Sequence, residues 1–140
     1  MAARKPENTF RASVHKYLPP TLHHEKMCNP YSSGTADDWY SGTRGDLWVE
    51  YKFLPKIPVT ASVWLVNPNV KKPMLSVNQR DWLNERYAEG RTVAVVVGCR
   101  EGGVIMRDQE WMWEYTPQMF RDRLVPRQAI AQWITQTTTR

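Results

Sequence analysis

Residues 34–52 read GTADDWYSGTRGDLWVEYK and carry the acids Asp37, Asp38, Asp46 and Glu50 together with Lys52. If residues 46–54 form a strand, alternation sends Asp46, Trp48, Glu50 and Lys52 to one face and Leu47, Val49, Tyr51 and Phe53 to the other. Glu50 and Lys52 then stand about 6.6 Å apart on one face. A carboxylate there can hold a divalent cation while the neighbouring ammonium reaches the same phosphate, and an all-oxygen donor set suits Mg²⁺ or Mn²⁺. The alternative is a wet sheet face with no chemistry on it. A cation needs a second anchor. Asp46 lies roughly 13 Å from Glu50 along the strand, too far for oxygen ligands at about 2.1 Å. Asp37 and Asp38 precede a turn centred on Thr43 that folds them back beside Val49 and Glu50, and spacing alone leaves both open.

Other elements must hold this strand in place. Phe10, Val14 and Leu18 recur at helical spacing over residues 7–18, and Pro19-Pro20 stops the helix. Glu7 lies near the edge of its buried face, or is simply a first-turn acid favoured by the helix dipole. A short strand is expected over residues 23–27, then a loop at NPYSSG, then two strands over residues 36–40 and 46–54 joined through SGTRG. LPKIP breaks the second strand, and residues 59–66 form another strand or an excursion. A loop carrying Lys71 and Lys72 leads to a helix over residues 76–88 that ends at Gly90. Ser76 and Gln79 are spaced as a capping box, which gives Gln79 a role that needs no chemistry. TVAVVVGC reads as a strand covered on both faces, and REGGVIM turns it back. Thr116-Pro117 opens a last helical region that runs through Ile130 and Ile134. Residues 1–5 and 135–140 are expected to fray. The order α–β–β–β–(β)–α–β–β–α predicts an α/β chain with a mixed central sheet flanked by helices.

Composition narrows the function classes. The chain has 140 residues, 41% of them apolar, with seven tryptophans, which fits one domain with a real core and excludes disorder. Cys28 and Cys99 are isolated, so neither a zinc ribbon nor a disulfide framework is expected. His23 and His24 are adjacent and on a strand face opposite ways. No apolar stretch approaches a membrane span and no signal-peptide core is present, so a cytoplasmic protein without a membrane partner is expected. The net charge of +5 and pI near 9.4 favour anionic partners, nucleic acid first. Arg44, Lys56, Lys71, Lys72 and Arg80 make a basic rim that is at least solvated and on a nucleic-acid enzyme would position phosphates. Asp38 and Asp46 read as solvated or turn-forming, and Trp111 and Trp113 as core or partner surface.

G-T-A-D at residues 34–37, followed after twelve residues by E-Y-K at 50–52, resembles the motif of the PD-(D/E)XK nuclease superfamily, where Pro-Asp or a variant precedes an acidic-x-Lys strand. The subgroup it looks like is the small VRR-NUC and phage-type nucleases, similar in fold to Holliday-junction resolvases. Glu7 on the first helix, S-V-N-Q before a helix, the β-branched strand through Val97 and the terminal AIAQWI match in chain order, so the resemblance spans residues 7–134. Ala36 takes the usual proline position. The resemblance implies a restriction-endonuclease-like core, and it places the metal carboxylate on Asp37 rather than Asp38. It implies Asp37, Glu50 and the main-chain carbonyl of Tyr51 as ligands of Mg²⁺ or Mn²⁺, and Glu7, Asp37, Glu50, Lys52 and Gln79 as the catalytic set. The implied reaction is hydrolysis of DNA phosphodiester bonds, leaving a 5′-phosphate and a 3′-hydroxyl. Branched DNA such as a Holliday junction is the expected substrate, because a bare core without a base-reading module must recognise shape, as a homodimer with two sites. The alternatives are a nicking or flap nuclease in phage-type DNA processing and a non-catalytic nuclease-fold module that binds DNA.

Overall fold

The computed structural model describes residues 5–27 and 34–140; residues 1–4, Cys28 and most of the NPYSSG loop lie outside them. In chain order the elements are α1 (Pro6–His15), β1 (His23–Lys26), β2 (Asp38–Ser41), β3 (Asp46–Phe53), β4 (Val63–Trp64), α2 (Val77–Ala88), β5 (Val93–Cys99), β6 (Gly102–Arg107), β7 (Glu114–Tyr115), α3 (Pro117–Asp122) and α4 (Arg127–Thr138), with a 3-10 turn at Glu110–Met112. The main sheet runs β1-β2-β3-β5-β6, and β4 and β7 pair separately. Every residue of β5 is buried, as a β-branched run covered on both faces requires. It pairs parallel with β3, Glu50 opposite Val95 and Lys52 opposite Val97. The other pairings are antiparallel.

The face split expected along β3 is the one observed. Leu47, Val49 and Tyr51 join Ala94 and Val96 under Phe10 and Val14 of α1 and Ile130 and Ile134 of α4. Val93, Val95 and Val97 look the other way, onto Leu83, Leu65, Trp111, Tyr115 and Phe120. Side chains of this size contribute about 1.5–3 kcal/mol each when fully buried. A Cβ at Gly98 would collide with the Phe10 ring, so the missing side chain there lets α1 lie close to the sheet.

Three expectations are corrected, and the alternative left open over residues 59–66 is decided. Helix α1 ends at His15 rather than Leu18: the Tyr17 and Leu18 amides bond back three residues instead of four, to Val14 and His15, a tightened last turn before Pro19. Only Val63–Trp64 of residues 59–66 is strand, paired with β7; Val63 and Leu65 turn inward and cap the second core. The last helical region is two helices, since Val125 leaves the helix to exchange backbone hydrogen bonds with Gly103 and Pro126 has no N–H to continue it. The tail does not fray: Thr138 is fully buried, its carbonyl accepts from the Arg44 and Gly45 amides, and the Arg140 amide donates to Thr43 Oγ1 at 3.1 Å.

Candidate active site

Strand pairing separates the two aspartates. Asp38 lies opposite Val49 in the β2–β3 register, so Asp37, one residue earlier, falls opposite Glu50. The Tyr51 amide donates to Asp37 Oδ2 at 2.9 Å, and as in any strand the Tyr51 carbonyl faces the same neighbour. Asp38 points to the other side of the sheet, where it is fully buried and accepts from the Arg11 guanidinium of α1. It is therefore neither solvated nor turn-forming.

Helix α2 brings the remaining groups. Ser76 and Gln79 form the capping box, with Gln79 N–H donating to Ser76 Oγ and Ser76 N–H to Gln79 Oε1. The same Gln79 carbonyl oxygen accepts from Lys52 Nζ at 3.0 Å, and its Nε2 donates to Glu50 Oε2 at 3.2 Å. Gln79 is thus both cap and bridge. Gly34 lies so close to α2 that a Cβ would collide with the Asn78 backbone, which draws the segment leading to Asp37 against the start of this helix.

Glu50 is not on a wet face, being 2% exposed. Burial first, and the Asp37 carboxylate second, push its pKa up to about 9, against the pull of Lys52, whose Nζ is 3.6 Å from Glu50 Oε2. Glu50 Oε1 is buried without a hydrogen-bond partner, on a carboxyl that the Asp37 carboxylate and the Lys52 ammonium both influence. An open carboxylate oxygen beside a second carboxylate is a donor set that fits a hard divalent cation, which takes one or two carboxylates and fills its shell with water and substrate phosphate. Among the described residues no group of three His, Cys, Asp or Glu side chains could hold a metal, so two carboxylates are the limit of what these side chains offer.

Other expected residues are placed differently. Glu7 sits in the first turn of α1, a helix that packs on the face of the sheet opposite Glu50 and Lys52, and makes no hydrogen bond to Asp37, Glu50 or Lys52. Lys56, Lys71 and Lys72 are exposed. Lys56 follows β3, and the other two lead into α2. Arg80 pairs with its neighbour Asp81. Arg44 lies in the β2–β3 turn, six residues from Glu50 and so about 20 Å along the strand. It cannot belong to the same rim. Trp111 is fully buried and is core, while Trp113 is 46% exposed.

Sequence reasoning missed the polar layer behind β3. His15 Nε2 lies 2.6 Å from the Tyr40 hydroxyl, and that hydroxyl is 2.6 Å from the one on Tyr51. Together with Arg11 and Asp38 they tie α1 to the back of the strands that carry Asp37 and Glu50. The available signal was period-two spacing: Asp38, Tyr40 and Tyr51 all alternate away from the face that carries Glu50 and Lys52.

The fold is the restriction-endonuclease-like mixed α/β core, a five-stranded sheet with helices on both faces. Its particular likeness is to the solved structure of Hjc, a Holliday junction resolvase from the archaeal hyperthermophile Archaeoglobus fulgidus, with a TM-score of 0.52 at 13% identity over 89% of this chain and 99% of that one. At that identity the likeness is one of fold. No protein-family model matches the sequence, and no curated protein matches it.

Proposed function

We propose that this chain is a Mg²⁺- or Mn²⁺-dependent endodeoxyribonuclease of the small VRR-NUC and phage-type class, selective for branched DNA and acting in the cytoplasm in recombination, repair or phage DNA processing. The observation that carries this reading is the convergence of Asp37, Glu50 and Lys52 at one end of β3, with Glu50 Oε1 left open. The fold shared with a junction resolvase supports it.

Asp37 and Glu50, with the Tyr51 carbonyl, would hold the cation. When bound, it supplies an acidified water and a Lewis acid for the phosphoryl oxygens. Lys52 orients the attacking water and offsets the negative charge that grows on the phosphoryl oxygens. Gln79 fixes the Lys52 ammonium and Glu50 at a set spacing, so little reorganisation is needed when substrate arrives. Glu7 would hold a second ion or a water, as the resemblance implies. No helix among the described residues is long and apolar enough to cross a membrane.

The test is a panel of plasmid, linear duplex and four-way junction incubated with Mg²⁺, Mn²⁺ or EDTA. Cleavage is expected with either metal and not with EDTA, fastest on the junction. Asp37→Asn and Glu50→Gln should each lose it while retaining DNA binding. Lys52→Ala should lower turnover by about 10²–10³-fold, the scale of a lost transition-state donor, with little change in affinity. Binding without cleavage under every metal would instead assign a non-catalytic DNA-binding module, and equal rates on linear and branched DNA a general nicking nuclease.

A further inference from the structure

Beyond the acidic pair, the end of the sheet at which β3 and β5 terminate holds a groove that no step of the proposed reaction uses. Its cavity of about 660 Å³ lies between the strap that follows β3 and the end of α3, lined by Pro55, Lys56, Val59, Arg100, Arg121 and Leu124 among others. Lys56, Arg100 and Arg121 make no ion pair among the described residues, and Glu101 is the one carboxylate on the wall. Arg121 donates to the Pro58 carbonyl at 3.4 Å, tying α3 to the strap, and its remaining N–H groups stay available. Val59, 75% exposed, adds an apolar lip.

We propose that this groove seats the phosphodiester backbone of the DNA strand as it leaves the active site. This rests on the nuclease reading and says which surface guides the substrate. In open α/β sheets ligands gather at the carboxyl ends of the parallel strands, and this groove is at that end of both β3 and β5. Lys56 lies four positions after Lys52, so the two ammonium groups hang from backbone points at most about 14 Å apart, close enough for both to reach neighbouring phosphates of one strand. Three unpaired cations meet the phosphates. The exposed Val59 suits the sugar faces between them, which a free phosphate does not offer.

The test measures four-way junction binding in EDTA across a salt series, for the wild type, for Lys56→Ala/Arg100→Ala/Arg121→Ala, and for a control triple at the other end of the sheet, Arg44→Ala/Arg91→Ala/Arg107→Ala. Each lost phosphate contact lowers the slope of log K against log salt by about 0.9. The groove triple should therefore flatten the slope by roughly 3 and the control should leave it unchanged. If thermal unfolding shows the groove triple to be unstable, the Lys56→Ala/Arg100→Ala pair is read instead, with a change of roughly 2 expected. An unchanged slope in the groove variants, or an equal change in both triples, overturns the groove while leaving the nuclease intact, provided the wild type still cuts DNA in an Asp37-dependent way. A wild type that binds no DNA at any salt overturns both.

Discussion

At the residue scale, two adjacent aspartates have opposite surroundings. Asp37 is only partly buried and its carboxylate accepts from the Tyr51 amide, whereas Asp38 is sealed against Arg11. Burial raises the Asp38 carboxyl above its ordinary value even with that guanidinium beside it, as expected when desolvation outweighs a nearby opposite charge. His15, in the same layer, is held at about 3 by burial first and by the charges of Arg11 and His24 after it. The folded state therefore keeps this imidazole neutral, while the unfolded chain takes up a proton near pH 6.5. Stability from this group is complete above that value and falls as pH drops toward 3. Thermal unfolding from neutral pH to about pH 4 should show a decline that is shallower in His15→Gln, which can still bond to Tyr40 but does not titrate. An identical decline in the variant would place the acid sensitivity in other groups.

Helix α2 joins fold to chemistry at the element scale, because one side chain closes its first turn and spaces the site. Ser76→Ala removes only the capping oxygen, at a cost of about 0.5–2 kcal/mol, or a few degrees of melting temperature in a chain of this size. Gln79→Ala keeps the backbone N–H that bonds to Ser76 Oγ, and removes instead the acceptor for the Ser76 amide together with the bridge between Lys52 and Glu50. The two variants should melt at similar temperatures, yet only Gln79→Ala should lower turnover substantially. Equal turnover in both, measured on the junction at saturating Mg²⁺, would reduce Gln79 to a cap.

Assembly is the question for the whole molecule. One chain carries one acidic site, and resolving a junction takes two coordinated cuts, so the proposed nuclease should work as a symmetric dimer with both sites on one basic face. Trp111 is buried and cannot supply the contact, and Val59 belongs to the DNA groove. Trp113, exposed and flanked by Arg123 at 5.2 Å from its ring, is the anchor this prediction takes, since tryptophan and arginine are enriched among the residues that dominate interfaces. Light scattering over a concentration series should show a dimer that Trp113→Asp weakens, with junction cleavage falling in parallel. A monomer on the junction would remove the paired-site argument.

Alternation and composition alone determined a good part of this protein. The faces of β3, the buried β5, the Ser76–Gln79 cap and the mixed sheet were legible because each depends on neighbours within a few residues, where period-two and helical spacing act directly. Asp37 and Asp38 could not be separated that way: a shift of one residue in the β2–β3 pairing exchanges the faces of every side chain, and it is tertiary contacts, Asp38 with Arg11 and Asp37 with the Tyr51 amide, that distinguish them. The same limit hid the tail and the basic rim. Thr138 is buried because a distant turn folds onto it, and Arg44 leaves the site because that turn lies at the far end of the strand. Long-range contacts of this kind have no local signature, so the burial of Glu50, the bridge through Gln79 and the cationic groove were decided by tertiary structure alone.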